Sequence, residues 1–177
     1  MADNVTQEGR LLRITTPLED DMLLLDGFSV TEGLSMLYTV DTRLVYAHGP
    51  DEPTDKPKII DPKQLIGQAA TIELTQNDDT LRTLSGIISH FSQGFRDTKF
   101  SFYQMQIVPV VWVLTQNSQS RIFQHKTVPD ILKAVFDGFE VSIQMKREYK
   151  PRNYCVQYRE SDFDFASRLM EEEGIYY

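Results

Sequence analysis

Between Leu11 and Leu114 the apolar residues fall in short runs that alternate with polar residues or are rich in β-branched and aromatic types, and turn-forming residues separate the runs. Side chains alternate across a strand with a period of two, whereas a helix repeats every 3.6 residues, so this pattern commits most of the chain to sheet. LLRIT, MLLLDGFSVTEG and the run from Leu37 to Tyr46 read as successive strands. Asp26-Gly27 lies between two apolar stretches and predicts a hairpin turn inside MLLLDGFSV, because glycine accepts a positive φ without a steric penalty. Gly33 marks a second break.

The charged, proline-rich stretch HGPDEPTDKPKIIDPK lacks several backbone donors and predicts a loop. LIGQAATIELT then reads as a turn leading into a strand, and Asn77-Asp78-Asp79 as a turn. LRTLSGIISHF resumes the strand, with Gly86 marking either a bulge or the close approach of a neighbouring backbone. KFSFYQMQIVPVVWVL alternates and then becomes continuously apolar, as in a strand entering a buried sheet or barrel; periodicity alone leaves a buried helix open there.

The character changes near Gln116-Asn117-Ser118. Thr127 precedes VPDILKAVF, Pro129 stands in the first turn and Asp130 three residues after Thr127, so a capped helix is predicted with Val128, Ile131, Leu132, Val135 and Phe136 on one face and Gly138 at its end. VSIQM and YCVQY read as strands, separated by the basic KREYKPRN. Ser161 predicts the start of a second helix, with Asp162 and Asp164 favoured at its positive end; Phe163, Ala166, Leu169 and Met170 form its expected apolar face. Gly174 ends it, and Ile175-Tyr176-Tyr177 reads as a strand cut short, which is expected of a fragment. The expected fold class is mainly β with a few helices (α+β): a strand-rich, barrel-like lobe over residues 1–116 and a helix-strand-helix-strand start of a second lobe over 117–177.

Composition narrows the function. A net charge of -8 without a Lys/Arg cluster argues against a nucleic-acid partner or an anionic membrane. No segment approaches the roughly 20 apolar residues of a membrane span, and MADNVTQEGR lacks the basic and apolar regions of a signal peptide. Cys155 stands alone, which excludes an internal disulfide, and the strand around it offers no base to activate the thiol; a buried core position is expected. His48, His90 and His125 fit no metal-binding spacing. Asp162 and Asp164 are explained by the helix dipole, and Glu171, Glu172 and Glu173 point in different directions around a helix, so no catalytic carboxylate pair is expected. Trp112 reads as core or interface. No catalytic, cofactor-binding or metal-binding residue is assigned.

YCVQYRESDFDFASRLMEEEGIYY, covering Tyr154 to Tyr177, resembles the most recognisable segment of the VgrG spike proteins of the bacterial type VI secretion system, which are similar to contractile-phage baseplate hub proteins. RIFQHKTVPDILKAV resembles the preceding helix of that family, and LLLDGFSVTEGLSMLYTVDTRLV, LIGQAATIEL, LSGIISHFSQ and PVVWVLTQNSQSRIFQ match its motifs in order. The resemblance implies a barrel-containing, phage tail hub-like fold and a non-enzymatic role: a homotrimeric symmetry adaptor on the hexameric tube of haemolysin-coregulated protein (Hcp), beside baseplate components and secreted effectors. It also implies residence in the bacterial cytoplasm before firing and secretion through the apparatus without a signal peptide. A phage tail hub would share this fold. An accessory part of a cell-wall hydrolase, or an adaptor binding an effector through KREYKPR or the proline-rich loop, are the other readings.

Overall fold

The computed structural model describes residues 5–49, 59–76, 79–145 and 147–177. It divides into two compact units, one of residues 1–32 and 38–109, the other of residues 33–37 and 110–177.

The first unit is built on a curled, half-barrel sheet of six strands: β1 (Leu12–Thr15), β2 (Leu24–Gly33), β3 (Met36–Ala47), β4 (Ala69–Gln76), β5 (Asp79–Arg96) and β6 (Phe100–Val108), in the order β1-β4-β5-β6-β3-β2. The β4–β5, β5–β6, β1–β4 and β3–β6 pairs are antiparallel. Alternation places one face inward: Ile14, Val40, Leu44, Ile72, Ile88, Phe91, Tyr103, Met105 and Ile107 form the core, with Ile60 and Leu65 packed against it. Phe91 and Tyr103 stack with centroids 5.2 Å apart. Edge strand β1 is covered locally, because the Gln7 side chain accepts from Ile14 N at 2.7 Å and donates to Ile14 O at 3.0 Å, imitating a further strand.

Several sequence expectations are corrected here. Asp26-Gly27 is no turn: both lie inside β2, and the chain reverses at Leu34-Ser35, with Ser35 at φ 54°. An added Cβ at Gly27 would stand 2.8 Å from Arg43 Nη2, the far end of an exposed side chain that can move aside, and that arginine pairs with Asp26 at 3.3 Å. Gly86 is a close-approach site, with Val108 O only 2.2 Å from where a Cβ would stand. The bulges fall elsewhere, between Leu74 and Thr75, Ile88 and His90, and Gln93 and Arg96. The continuous apolar run after β6 does not stay extended, because Pro109 ends the strand and Val110–Thr115 turns into a 3-10 helix with only Leu114 buried. Of the proline-rich stretch, residues 50–58 lie outside the described residues, and Pro62–Gln64 forms a 3-10 turn. Asn77 and Asp78 also lie outside them, while Gln76 and Asp79 pair across β4 and β5.

The second unit holds β7 (Gln119–Phe123), α1 (Val128–Val135), β8 (Cys155–Glu160) and α2 (Asp162–Glu172), with β7 and β8 antiparallel. Thr127 caps α1 as expected, and Thr127 and Asp130 form a reciprocal capping box. Leu114, Val128, Ile131, Leu132, Val135, Cys155, Phe165, Ala166 and Leu169 make this unit's core. The inward aromatic of α2 is Phe165, fully buried and stacked on Phe123 at 5.7 Å, rather than Phe163, which is half-buried and meets Tyr177 edge-on. Leu169 and Met170 pack inward as expected. Val141–Met145 and Ile175–Tyr177, read as strands in the sequence, join no ladder among the described residues. Among the described residues no helix is long and apolar enough to cross a membrane.

Candidate functional site

The segment that carries the family resemblance folds as one mechanical unit around α2. Ser161 is its N-cap: the hydroxyl accepts from Asp164 N at 2.9 Å and donates to Asp164 Oδ2 at 2.6 Å. Truncation of Ser161 to alanine removes a cap worth about 1 kcal/mol. The expected result is a melting temperature lower by a few degrees in a calorimetric scan; an unchanged value would argue against the cap.

Asp162, at the first helical position, is buried and does more than answer the helix dipole. Its Oδ1 pairs with Arg121 and accepts from Gln157 Nε2 at 2.8 Å, while Oδ2 accepts from Asn117 Nδ2 at 2.8 Å. Asn117 Oδ1 in turn accepts from Asp162 N at 3.0 Å, satisfying a helix-start donor that has no intrahelical partner. Arg121 also donates to Gln157 Oε1 at 2.8 Å. One carboxylate thus ties the entry to β7, the middle of β8 and the start of α2 together. Three donors from the chain itself fill most of its roughly four acceptor sites, so this carboxylate serves the fold's own polar groups.

At the other end of α2, the sequence reading of the glutamates needs correction. Glu172 and Glu173 do not diverge: Arg152 grips both, with Nη1 2.6 Å from Glu172 Oε2 and Nη2 2.7 Å from Glu173 Oε1. Arg168 joins Glu160 at 2.6 Å and Glu172 at 3.3 Å. Arg147 donates to Glu173 O at 2.6 Å, a cation at the negative end of the helix. Gly174, at φ 65°, completes the end: Gly174 N bonds Glu171 O and Ile175 N bonds Met170 O, the Schellman pattern. The bonds from Arg152 hold the Glu172 carboxyl below its usual range, and the bonds to Glu173 and Glu172 push the Arg152 guanidinium up. Arg147 and Arg152 of the basic KREYKPR segment are therefore spent on the chain's own helix.

The remaining candidates are dispersed. Cys155 is buried opposite Phe123 in the β7–β8 ladder, and burial pushes its thiol up, away from the nucleophilic thiolate. His48 Nε2 lies 2.8 Å from Ser101 Oγ, which resembles a nucleophile and base. Ser101 is 1% exposed, however, and Asp97 accepts at 2.7 Å from the backbone of Lys99 and Phe100 rather than from the imidazole. His90 lines an open polar groove with Asp41, Arg43, Gln104 and Gln106, and His125 sits at φ 52° before α1. Among the described residues no group of three or more His, Cys, Asp or Glu is arranged to hold a metal. Trp112 is half-buried in the 3-10 turn, where its carbonyl accepts from Thr115 Oγ1.

Sequence reasoning missed the Asp162 network because its partners are scattered over 45 residues of chain. The only local signal was a polar residue at the position where the apolar stripe of α2 should begin.

The phage tail baseplate hub (GPD) family matches residues 31–177 of this chain. The type VI secretion system spike protein VgrG1b of Pseudomonas aeruginosa is 39% identical over 176 residues, covering 98% of this chain and 22% of its own length. The actin cross-linking toxin VgrG1 of Vibrio cholerae is 33% identical over 163 residues, covering 90% of this chain and 15% of its own. The chain thus spans about a fifth of the length of these relatives. Among solved structures, the E. coli c3393 protein is described as a component of the type VI secretion system with structural similarity to the T4 bacteriophage tail proteins gp27 and gp5. It superposes with a TM-score of 0.68 at 27% identity over 85% of this chain and 42% of that one. The 43 kDa tail protein of prophage MuSo2 from Shewanella oneidensis shares the fold, with a TM-score of 0.55 at 16% identity over 86% of this chain and 49% of that one. With that family matching residues 31–177, from the end of β2 through α2, this chain belongs to the phage tail baseplate hub (GPD) family.

Proposed function

We propose that the chain is the hub region of a type VI secretion spike. The observation that carries this is the 39% identity to VgrG1b across nearly all of these 177 residues, far above the level at which only fold is shared. In this reading the strand-rich lobe and the lobe begun by the second unit are the two similar blocks each subunit presents. Three subunits then display six blocks, so a homotrimer meets the sixfold end of an Hcp tube through complementary surfaces. The role is structural and non-enzymatic. Baseplate components and secreted effectors are the further partners. The protein waits in the bacterial cytoplasm and leaves through the apparatus itself, without a signal peptide.

The test is to mix the full-length protein with purified Hcp hexamers and image the product by electron microscopy. A threefold hub seated on one end of a hexameric ring is the expected result. Absence of the complex, together with binding to a phage tail tube, would replace this reading with the phage tail hub, which the shared fold of the prophage tail protein supports.

A further inference from the structure

Arg159 stands where a long side chain is poorly accommodated. The β7–β8 register passes from Gln119 opposite Glu160 to Ser120 opposite Tyr158, so Arg159 is the extra residue of a bulge, at φ 52°. Aspartate and histidine tolerate such a backbone and glycine adopts it freely, whereas arginine there is strained. Its charge is also unlike its neighbours'. Arg121, Arg147, Arg152 and Arg168, the other arginines of the second unit, each pair with a carboxylate. Arg159 pairs with none among the described residues and lies instead over the ring of Tyr158, with Cζ 5.2 Å from the centroid. Tyr158 is 65% exposed, and Ile122, on the same outward face of the two-stranded sheet, is 61% exposed. A guanidinium stacked on an exposed tyrosine keeps its donor edge free for a carboxylate, and tyrosine and arginine are the residues that most often anchor protein contacts.

The same unit carries a complement. Glu171 is exposed and unpaired among the described residues, while Arg152 holds Glu172 and Glu173 beside it. It lies in the last turn of α2, where the negative end of the helix favours a cation. Its chain neighbour Met170, and Gly174, whose N–H bonds Glu171 O, both line an apolar groove of about 390 Å³ together with Leu132, Ile143 and Ile175. Lys133 and Lys150 also adjoin lining residues, so the attraction is a local one between Arg159 and Glu171 and not a field of one sign. We propose that the chain binds a second copy of itself head to tail through the second unit: Tyr158 and Ile122 of one copy cover the groove of the next, and Arg159 pairs with Glu171 there. A second copy is the occupant because each chain offers both halves, an unpaired cation with an apolar flank and an unpaired carboxylate with an apolar groove. Contact between unlike patches repeats around a ring, and the inference rests on the homotrimer reading above for closure at three copies.

Light scattering of the chain over a range of concentrations, at low and high salt, is the test. The unmodified chain is expected to associate, and more weakly as salt rises. Arg159→Glu and Glu171→Arg are each expected to weaken association about tenfold or more, and the two together to restore it, since the pair is then reversed and not lost. Arg159→Gly separates contact from folding: relief of the positive φ should hold or raise the melting temperature while association falls. A chain that stays monomeric at millimolar concentration, single substitutions without effect, or an exchange that restores nothing would each overturn the proposal. Hcp is absent from this assay, so failure here is distinct from failure to dock on the tube.

Discussion

Replacing Gly86 by alanine is expected to lower the melting temperature by roughly 10 °C, while the same change at Gly94, in the same strand, is expected to do little or to stabilise slightly. An added Cβ at Gly86 would stand 2.2 Å from Val108 O and 2.9 Å from Val108 C, and both are backbone atoms that no rotamer change can move. Relief requires shifting the end of β6, and with it Ile107 and Val108, which are fully or almost fully buried. Overpacking of this kind costs about 3 kcal/mol. At Gly94 the only near atom among the described residues is Phe102 O at 3.6 Å, an ordinary contact, so alanine there mainly reduces the freedom of the unfolded chain. Scanning calorimetry of both variants decides the matter, and equal shifts would show that close approach is not why residue 86 is glycine.

The contrast between the glycines shows which parts of the fold are legible in the sequence. Signals carried by neighbours in the chain read correctly: Thr127 with Asp130, Ser161 with Asp164, and Gly174 at the end of α2 are all local devices. The alternation of β3 and β6 was equally plain, because one face of each is core. Misreadings occurred where a distant residue sets the local requirement. Asp26-Gly27 has turn chemistry, yet both residues lie inside β2, where Asp26 pairs with Arg43 on the adjacent strand. Phe163 fits a helical stripe as well as Phe165 does, but the buried face of α2 is the one that carries Asp162, Phe165, Ala166, Leu169 and Met170. The KREYKPR segment reads as a free basic surface until Arg147 and Arg152 are seen closing the end of α2. VSIQM has a strand's pattern, but a pattern specifies a face and not a partner. For the candidate site, recognition of the segment was secure from sequence, while the residues that hold it together were not, since a buried ion pair leaves no periodic trace.

The Asp162 network supplies the second large effect, and its sign can be argued from the geometry. Asp162→Asn keeps the volume but replaces one acceptor oxygen by an amide donor, and every group around it, from Arg121, Gln157 and Asn117, donates. One donor must then face another, and the Arg121 guanidinium, one-third exposed, keeps its charge without its partner. Removing one member of such a buried pair costs about 3 kcal/mol, toward the lower end of the range because Arg121 can recover some hydration. The expected loss should appear in urea as a lower midpoint with an unchanged slope, since the same surface is exposed on unfolding. The cycle completed by Arg121→Met distinguishes pairing from simple crowding. If the carboxylate chiefly serves Arg121, adding Arg121→Met to Asp162→Asn should cost less than Arg121→Met alone, with a coupling of about 1 to 2 kcal/mol. Strict additivity of the two changes would mean that Asn117 and Gln157, rather than the ion pair, hold the start of α2 against β8.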